Sequence, residues 1–242
     1  MEIEVKDLCV SIQGKKILEH ASLSMKSDEI TVLMGPNGSG KTTLGMAIMG
    51  YPGLAIDSGE ILVDGKSILG MGPDERAKLG IFMQFQEPIE IEGVNLENFI
   101  FAAKTAQSKV NARQIEEDIE KAIKILDLKE EMLKKDVNVG FSGGEKKKVE
   151  IMQMLVLKPK FAILDEPDSG LDVDTLKKVA EAINMYEKES HAGILLITHY
   201  TRILSYINPT KVYVMDKGKI VASGGRELAE KIEREGYGFI EG

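Results

Sequence analysis

The densest chemical signal in the chain is the run Gly35, Pro36, Asn37, Gly38, Ser39, Gly40, Lys41, Thr42 and Thr43. Glycines at positions 35, 38 and 40 free the backbone to wrap until successive N–H groups converge on one anion. A helix starting near Lys41 adds its positive N-terminal end. The spacing G-x-x-x-x-G-K-T is that of a phosphate-binding P-loop, in which the lysine reaches the β- and γ-phosphates and the next hydroxyl holds Mg2+. Those two residues are Lys41 and Thr42. The alternative, a plain glycine turn before a helix, is disfavoured by the apolar run 30–34 before the loop and the helical run 44–49 after it.

Phosphoryl transfer also needs an acidic centre facing that loop. Asp165 closes the apolar run 161–164, where a strand would deliver a carboxylate to the ligand edge of an α/β sheet. Glu166 follows it. As functional groups, Asp165 would hold Mg2+ directly or through water, and Glu166 would orient or deprotonate the attacking water. As bland groups they are two exposed turn carboxylates before Pro167. The P-loop tips the balance toward chemistry. A second glycine-rich start, Phe141, Ser142, Gly143, Gly144 and Glu145, opens a helix running to about Leu157. Ser142 and Glu145 have capping-box spacing. Two glycines in a first turn are costly for a helix, unless a ligand must approach the backbone closely. Lys146, Lys147 and Lys148 then crowd the positive end of that helix. This points either to a nearby phosphate or acidic partner, or to a solvated basic face. One of these lysines pairing with Glu166 would quiet an isolated chain.

The elements that position these groups are legible in outline. Residues 1–34 alternate as strands, with a turn over residues 14–16, and 59–65 reads as a further short strand. From residue 95 to about 135 the pattern is helical: Ile115, Ile119, Ile123 and Leu126 share one face, and Glu116, Glu117, Asp118 and Glu120 the opposite, solvated one. Strands are expected at 161–165 and 194–198. An amphipathic helix carrying Leu176, Val179, Ile183 and Tyr186 lies between them. A hairpin turns over residues 216–218. The tail holds a short helix and the aromatic residues Tyr237 and Phe239.

Composition narrows the class. The chain has 242 residues, is 43% hydrophobic and carries a net charge of −8, an acidic balance that argues against non-specific nucleic-acid binding. A single cysteine, Cys9, excludes an intrachain disulfide, fits a reducing compartment and cannot supply the usual thiolates of an iron–sulfur cluster. Cys9 lies in a strand pattern and reads as core. No apolar run reaches the roughly 18 residues of a membrane-spanning helix, and the N-terminus reads as a strand rather than a leader. A soluble, cytoplasmic protein without membrane insertion is the expectation.

The order of motifs resembles an ABC-type ATPase along essentially the whole chain. Beside the P-loop these are Gln86, FSGGE, ILDE, the run Ser169, Gly170, Leu171 and Asp172, and His199. The resemblance implies an α/β P-loop fold with an antiparallel β subdomain and a helical subdomain, as one domain over 1–242. Its α/β core would cover about 1–86 and 159–242, and its helical part about 87–158. It further implies that Gln86 senses Mg2+ and the γ-phosphate, and that His199 contacts the γ-phosphate. Ser142, Gly143, Gly144 and Glu145 would serve as a signature acting on the nucleotide of a second copy, and residues 169–172 as the D-loop. ATP and Mg2+ are the implied ligands, with catalysis by Glu166, His199, Lys41 and Gln86.

Transporter subunits usually read LSGGQ followed by an arginine- and alanine-rich helix. This chain reads FSGGEKKKVEIMQM, with GIFMQFQEPIEIEGV around Gln86, DEPDSGLDVD, ITHYTRIL and the ending EREGYGF. It thereby resembles the SufC family, the ATPases of the SUF iron–sulfur cluster assembly system, which work with SufB and SufD or with SufB alone. That resemblance implies SufB-like and SufD-like scaffold partners and an ATP-bound homodimer. The rival readings are a nucleotide-binding subunit of a membrane transporter, docked near Gln86, and a nucleotide-gated binding module without turnover. Many ABC-type ATPases stack adenine on an aromatic residue in the early strands; Ile12 stands at that place, so weak base discrimination is expected.

Overall fold

The computed structural model describes residues 1–107, 109–199 and 201–238; Phe239 lies outside them. The chain opens with two long strands, β1 (Glu2–Ile12) and β2 (Lys15–Lys26), followed by β3 (Ile30–Met34). The hairpin turn is Gln13 and Gly14, both at positive φ, with Ile12 already paired to Lys15. Lys15 and Lys16, expected in the turn, therefore belong to the strand. A two-residue turn at positive φ matches the twist of its strands better than a longer one. The P-loop leads into α1 (Lys41–Met49), then β4 (Ala55–Val63), β5 (Lys66–Ser67), α2 (Pro73–Leu79) and β6 (Ile81–Gln84). Next come β7 (Ile91–Asn95), α3 (Leu96–Gln107), α4 (Ala112–Leu126), β8 (Asp136–Val137) and α5 (Gly143–Leu157). The chain continues through β9 (Phe161–Asp165), α6 (Val173–Ser190), β10 (Gly193–Ile197), β11 (Lys211–Asp216), β12 (Lys219–Gly224) and α7 (Arg226–Glu235).

Among the described residues three sheets form: an antiparallel one in the order β2-β1-β4-β5, a larger one in the order β12-β11-β3-β10-β9-β6, and the pair β7-β8. In the larger sheet only β12 runs antiparallel to its neighbour. Its register sets Leu33 beside Ile197, Ile197 beside Asp165, and Leu164 beside Gln84. The C-terminal ends of β3, β10, β9 and β6 therefore share one edge, where ligands bind in open α/β sheets.

Every residue of β3, β9 and β10 is buried, as expected for parallel strands covered on both faces. Ile30, Val32 and Met34 face the core built with α3, α4, α5 and α6, while Leu33 faces the core shared with α1 and the antiparallel sheet. In α4 the expected face is buried at Ile115, Ile119, Ile123 and Leu126, each contributing about 1.5–3 kcal/mol. Glu116, Glu117 and Glu120 are exposed, and Asp118 pairs with Lys158 at 2.6 Å. The far end of α1 is closed by the buried Arg76, whose Nη1 donates to the carbonyls of Ala47 and Ile48 at 2.7 and 2.8 Å. No helix among the described residues is long and apolar enough to cross a membrane.

Candidate active site

The loop between β3 and α1 has the conformation its glycines predict. Gly35, Gly38 and Gly40 adopt φ of 156°, 78° and 107°. Gly35 admits no side chain, because a Cβ there would stand 2.1 Å from the Met215 carbonyl oxygen. Lys41 is buried and its Nζ donates to the carbonyls of Gly35 and Pro36 at 2.8 and 2.9 Å. Burial lowers its pKa, while the nearby Glu166 and Asp165 carboxylates act in the opposite sense. The loop lines a cavity of about 420 Å3 with Asn37, Gly38, Gly40, Lys41, Thr42 and Thr43. Gln86, Glu166, Lys15 and Ile17 complete its lining. Ile12, expected at the base position, is not among the lining residues. It pairs with Lys15 in the hairpin, and the two-residue turn brings Lys15 and Ile17 to the cavity instead. Among the described residues, no aromatic side chain lines it.

The end of β9 supplies the acidic centre. Asp165 is fully buried, and neither carboxylate oxygen has a hydrogen-bond partner of good geometry. Burial pushes its pKa up to about 6, and the adjacent Thr42 hydroxyl offsets only part of that. A buried carboxylate with two open oxygens beside a P-loop hydroxyl is a donor set that fits a hard divalent cation. Glu166 takes φ of 48°, the left-handed region that a residue with a side chain rarely occupies and that clusters at functional sites. Its N–H donates to the Ile197 carbonyl at 2.8 Å. Its carboxylate, 8% exposed, is held from two sides. Gln86 Nε2 donates to Oε2 at 2.8 Å, and His199 Nδ1 lies 2.7 Å from Oε1. The register of β6, β9 and β10 thus brings Gln86, Glu166 and His199 together across 80 and 33 residues of sequence. Gln86, expected also at the metal, turns its amide to Glu166; Thr42 is the side chain beside Asp165.

The lysine run is not a uniform basic face. Lys146 pairs with Glu90 at 2.5 Å, and Lys148 donates to the Asp127 carbonyl at 3.4 Å. Lys147 is buried and donates to the carbonyls of Phe85 and Gln86 at 3.2 and 2.6 Å. None of the three makes a hydrogen bond or ion pair with Glu166, so the expected quieting pair is not formed; His199 and Gln86 occupy that carboxylate instead. Beneath Lys147 sits the buried Glu150, whose pKa burial pushes up to about 7, with Lys147 and Gln84 acting to lower it. Lys147 was legible in principle. It shares with Ile151 and Met154 the i, i+4, i+7 spacing of a buried helix face. A further unanticipated brace is Asp168. It is fully buried, accepts from the Thr198 hydroxyl at 3.2 Å through its carboxylate, and accepts from Arg202 through its backbone carbonyl.

Residues 18–169 match the family model described as ABC transporter. The chain belongs to that family. A probable ABC transporter ATP-binding protein of Streptococcus pyogenes serotype M3 is 46% identical over 98% of this chain and 94% of its own length. The probable ATP-dependent transporter ycf16 of Pyropia yezoensis is likewise 46% identical, over 98% and 97%. Among solved structures, an ATP-binding subunit of an ABC transporter superposes with a TM-score of 0.85 at 26% identity, covering both chains in full. This ABC ATPase hydrolyses ATP with Mg2+. The cation, when bound, would neutralise charge developing on the phosphates, and Thr42 and Asp165 would be the residues to hold it.

The two remaining motifs of the ABC ATPase lie next to one another rather than at the cavity. Ser142 caps α5, its hydroxyl accepting the Glu145 N–H at 3.3 Å, while Glu145 accepts the Ser142 N–H and hydroxyl at 2.8 Å. The capping box expected from the spacing is therefore formed. Ser142 and Gly143 are exposed, and a Cβ on Gly144 would meet Leu171 at 3.7 Å and Thr175 at 3.9 Å. Residues 142–145 thus adjoin the loop of Ser169, Gly170, Leu171 and Asp172, in which Leu171 is buried and Asp172 caps α6 through the Thr175 N–H at 2.8 Å. None of these eight residues lines the cavity of its own chain.

Proposed function

We propose that this chain is the ATPase subunit of a SUF-type iron–sulfur cluster assembly complex in the cytoplasm. In this reading 1–242 forms one ATPase domain with a core of about 1–86 and 159–242 and a helical part of about 87–158. Two copies close on two ATP molecules, each P-loop facing residues 142–145 of the other copy. Closure deforms a bound SufB-like or SufD-like scaffold, and hydrolysis resets it. Within each site Lys41 and residues 35–43 hold the phosphates, and Asp165 with Thr42 holds Mg2+. Glu166 activates water, Gln86 and His199 orient it and report the γ-phosphate, and residues 169–172 join the two sites. The exposed, unused signature of the single chain supports the two-copy arrangement.

The observation that carries this reading over a transporter subunit is Lys147. The run that departs from the transporter signature is built into the site, since its second lysine holds the Gln86 carbonyl at 2.6 Å. The transporter reading is the second one, favoured by the names of the relatives. Either partner would find the same recess beside Gln86, a 240 Å3 hollow lined by Phe82, Phe85, Ile89, Ile91, Phe99 and Val137. Ile89 at its rim is 56% exposed. Affinity isolation of the chain from its own cells with ATP present separates the two. Soluble SufB-like or SufD-like partners are expected. A multi-spanning membrane protein in their place would overturn the cluster-assembly reading while leaving the ATPase chemistry intact.

A further inference from the structure

The C-terminal part of the chain grips the P-loop at three points. The Met215 carbonyl at the end of β11 lies where Gly35 would carry a side chain. The turn between β11 and β12 donates the Gly218 N–H to the Ser39 carbonyl at 2.9 Å. Beyond α7, the Tyr237 hydroxyl accepts the Gly35 N–H at 3.1 Å, across 202 residues of sequence. Tyr237 is half-buried, its ring packed on the core shared by the large sheet and the helices, so its hydroxyl is held by a packed ring rather than by a loose tail.

Gly35 therefore has both sides of its backbone engaged: its N–H by Tyr237 and its carbonyl by Lys41. These two restraints do not survive nucleotide binding equally. The Lys41 ammonium that serves the Gly35 and Pro36 carbonyls is the group that must turn to phosphate. When it leaves, Tyr237 is the side chain still bonded to Gly35. A glycine at positive φ has no side chain of its own to fix it and loses the most freedom when ordered. We propose that Tyr237 is a positioning residue for nucleotide binding, holding the first peptide of the P-loop in its phosphate-receiving shape after Lys41 lets go. The inference rests on the P-loop alone and is independent of which partner the chain serves.

Tyr237→Phe keeps the ring and removes the bond. In the full chain its KM for ATP, and its Kd for a fluorescent ADP analogue, should rise about five-fold, the equivalent of one neutral hydrogen bond. The kcat should stay within about two-fold, because no group touching the reacting atoms has changed. The thermal midpoint without nucleotide should move by no more than about 3 °C. Tyr237→Ala removes packing as well, and should raise KM at least as far while lowering the midpoint. If that variant does not fold, Tyr237→Phe decides alone. Unchanged KM and Kd in Tyr237→Phe overturn the proposal whatever the midpoint does, and so does a fall in kcat at constant KM.

Discussion

Replacing Asp165 by Asn should stabilise the nucleotide-free protein while disabling it. Asp165 is fully buried, no hydrogen bond of good geometry reaches its carboxylate oxygens, and burial pushes its pKa up to about 6 from an ordinary 3.8 despite the Thr42 hydroxyl beside it. Keeping that group ionised at pH 7.5 costs the fold about 3 kcal/mol. The attractions of Lys147 and Lys41 are already contained in that figure. An asparagine removes the charge but leaves its amide imperfectly bonded, a loss of about 1–2 kcal/mol. The net gain is then about 1–2 kcal/mol, which for a chain of this size is a rise of about 2–8 °C in thermal midpoint. The sign of the pH dependence is fixed. A carboxyl raised on folding destabilises above its folded pKa, and that cost fades as pH falls toward its unfolded pKa. The advantage of Asp165→Asn should therefore be clear at pH 7.5 and shrink to nothing near pH 5. Addition of ATP and Mg2+ should reverse the order, because the wild type gains a cation at those oxygens and the variant loses that ligand. Differential scanning calorimetry over this pH range, with and without Mg2+ and ATP, makes the comparison. A variant less stable than the wild type at pH 7.5 without nucleotide would refute the claim that the carboxylate stands uncompensated.

Glu166→Gln keeps the neighbours Gln86 and His199 but removes the base, so turnover should fall at least about a hundred-fold. An ATP-bound dimer should then persist in size-exclusion chromatography, and near-normal turnover would remove the role given to Glu166. Glu150, with a pKa pushed up to about 7 by burial from an ordinary 4.5, should make the unliganded protein lose stability as pH rises from about 4.5 to 7, with no further loss above that. Glu150→Gln should flatten that slope in a thermal-shift series, and an unaltered slope would assign it to another group. With Lys15 and Ile17 rather than an aromatic ring at the cavity wall, about 1 kcal/mol or more of base stacking is missing. ATP and GTP should then bind with affinities within about five-fold of each other in direct titration, and a strong preference for ATP would count against that account of the base site.

The parts of the site that were legible in the sequence are those whose chemistry and local structure coincide. Residues 35–43 could be placed because a glycine spacing, a strand and a helix all lie within a few positions of one another. Asp165 and Glu166 could be placed because an apolar run delivers them to a strand end. Family resemblance points Gln86 and His199 to the γ-phosphate, but their pairing with Glu166 is visible only in the structure, since it depends on the parallel register of three strands distant in sequence. The lysine run differs in the other direction. Its charges suggest a phosphate or acidic partner, solvent, or Glu166, yet tertiary packing of α5 sends Lys147 inward to two backbone carbonyls. The short helix α2 carries local signals, since Gly72 caps it, Pro73 opens it, Glu75 returns a bond to the cap and Gly80 ends it, but seven residues are too few for a helical period to stand out. Strands β7 and β8 have too few residues to show a period.

The guanidinium of Arg76 gives the nucleotide a remote counterpart. It sits on the carbonyl end of the nine-residue helix whose amide end faces the cavity, about 13 Å away along the axis. A helix terminus that meets negative charge at its amide pole and a cation at its carbonyl pole is favoured at both. Phosphate therefore arrives at a dipole already compensated at its far pole. Because Arg76 belongs to α2, that compensation is supplied by a segment with no residue in the cavity lining, so a displacement of α2 would reach the cavity as a change in charge rather than as a change in shape.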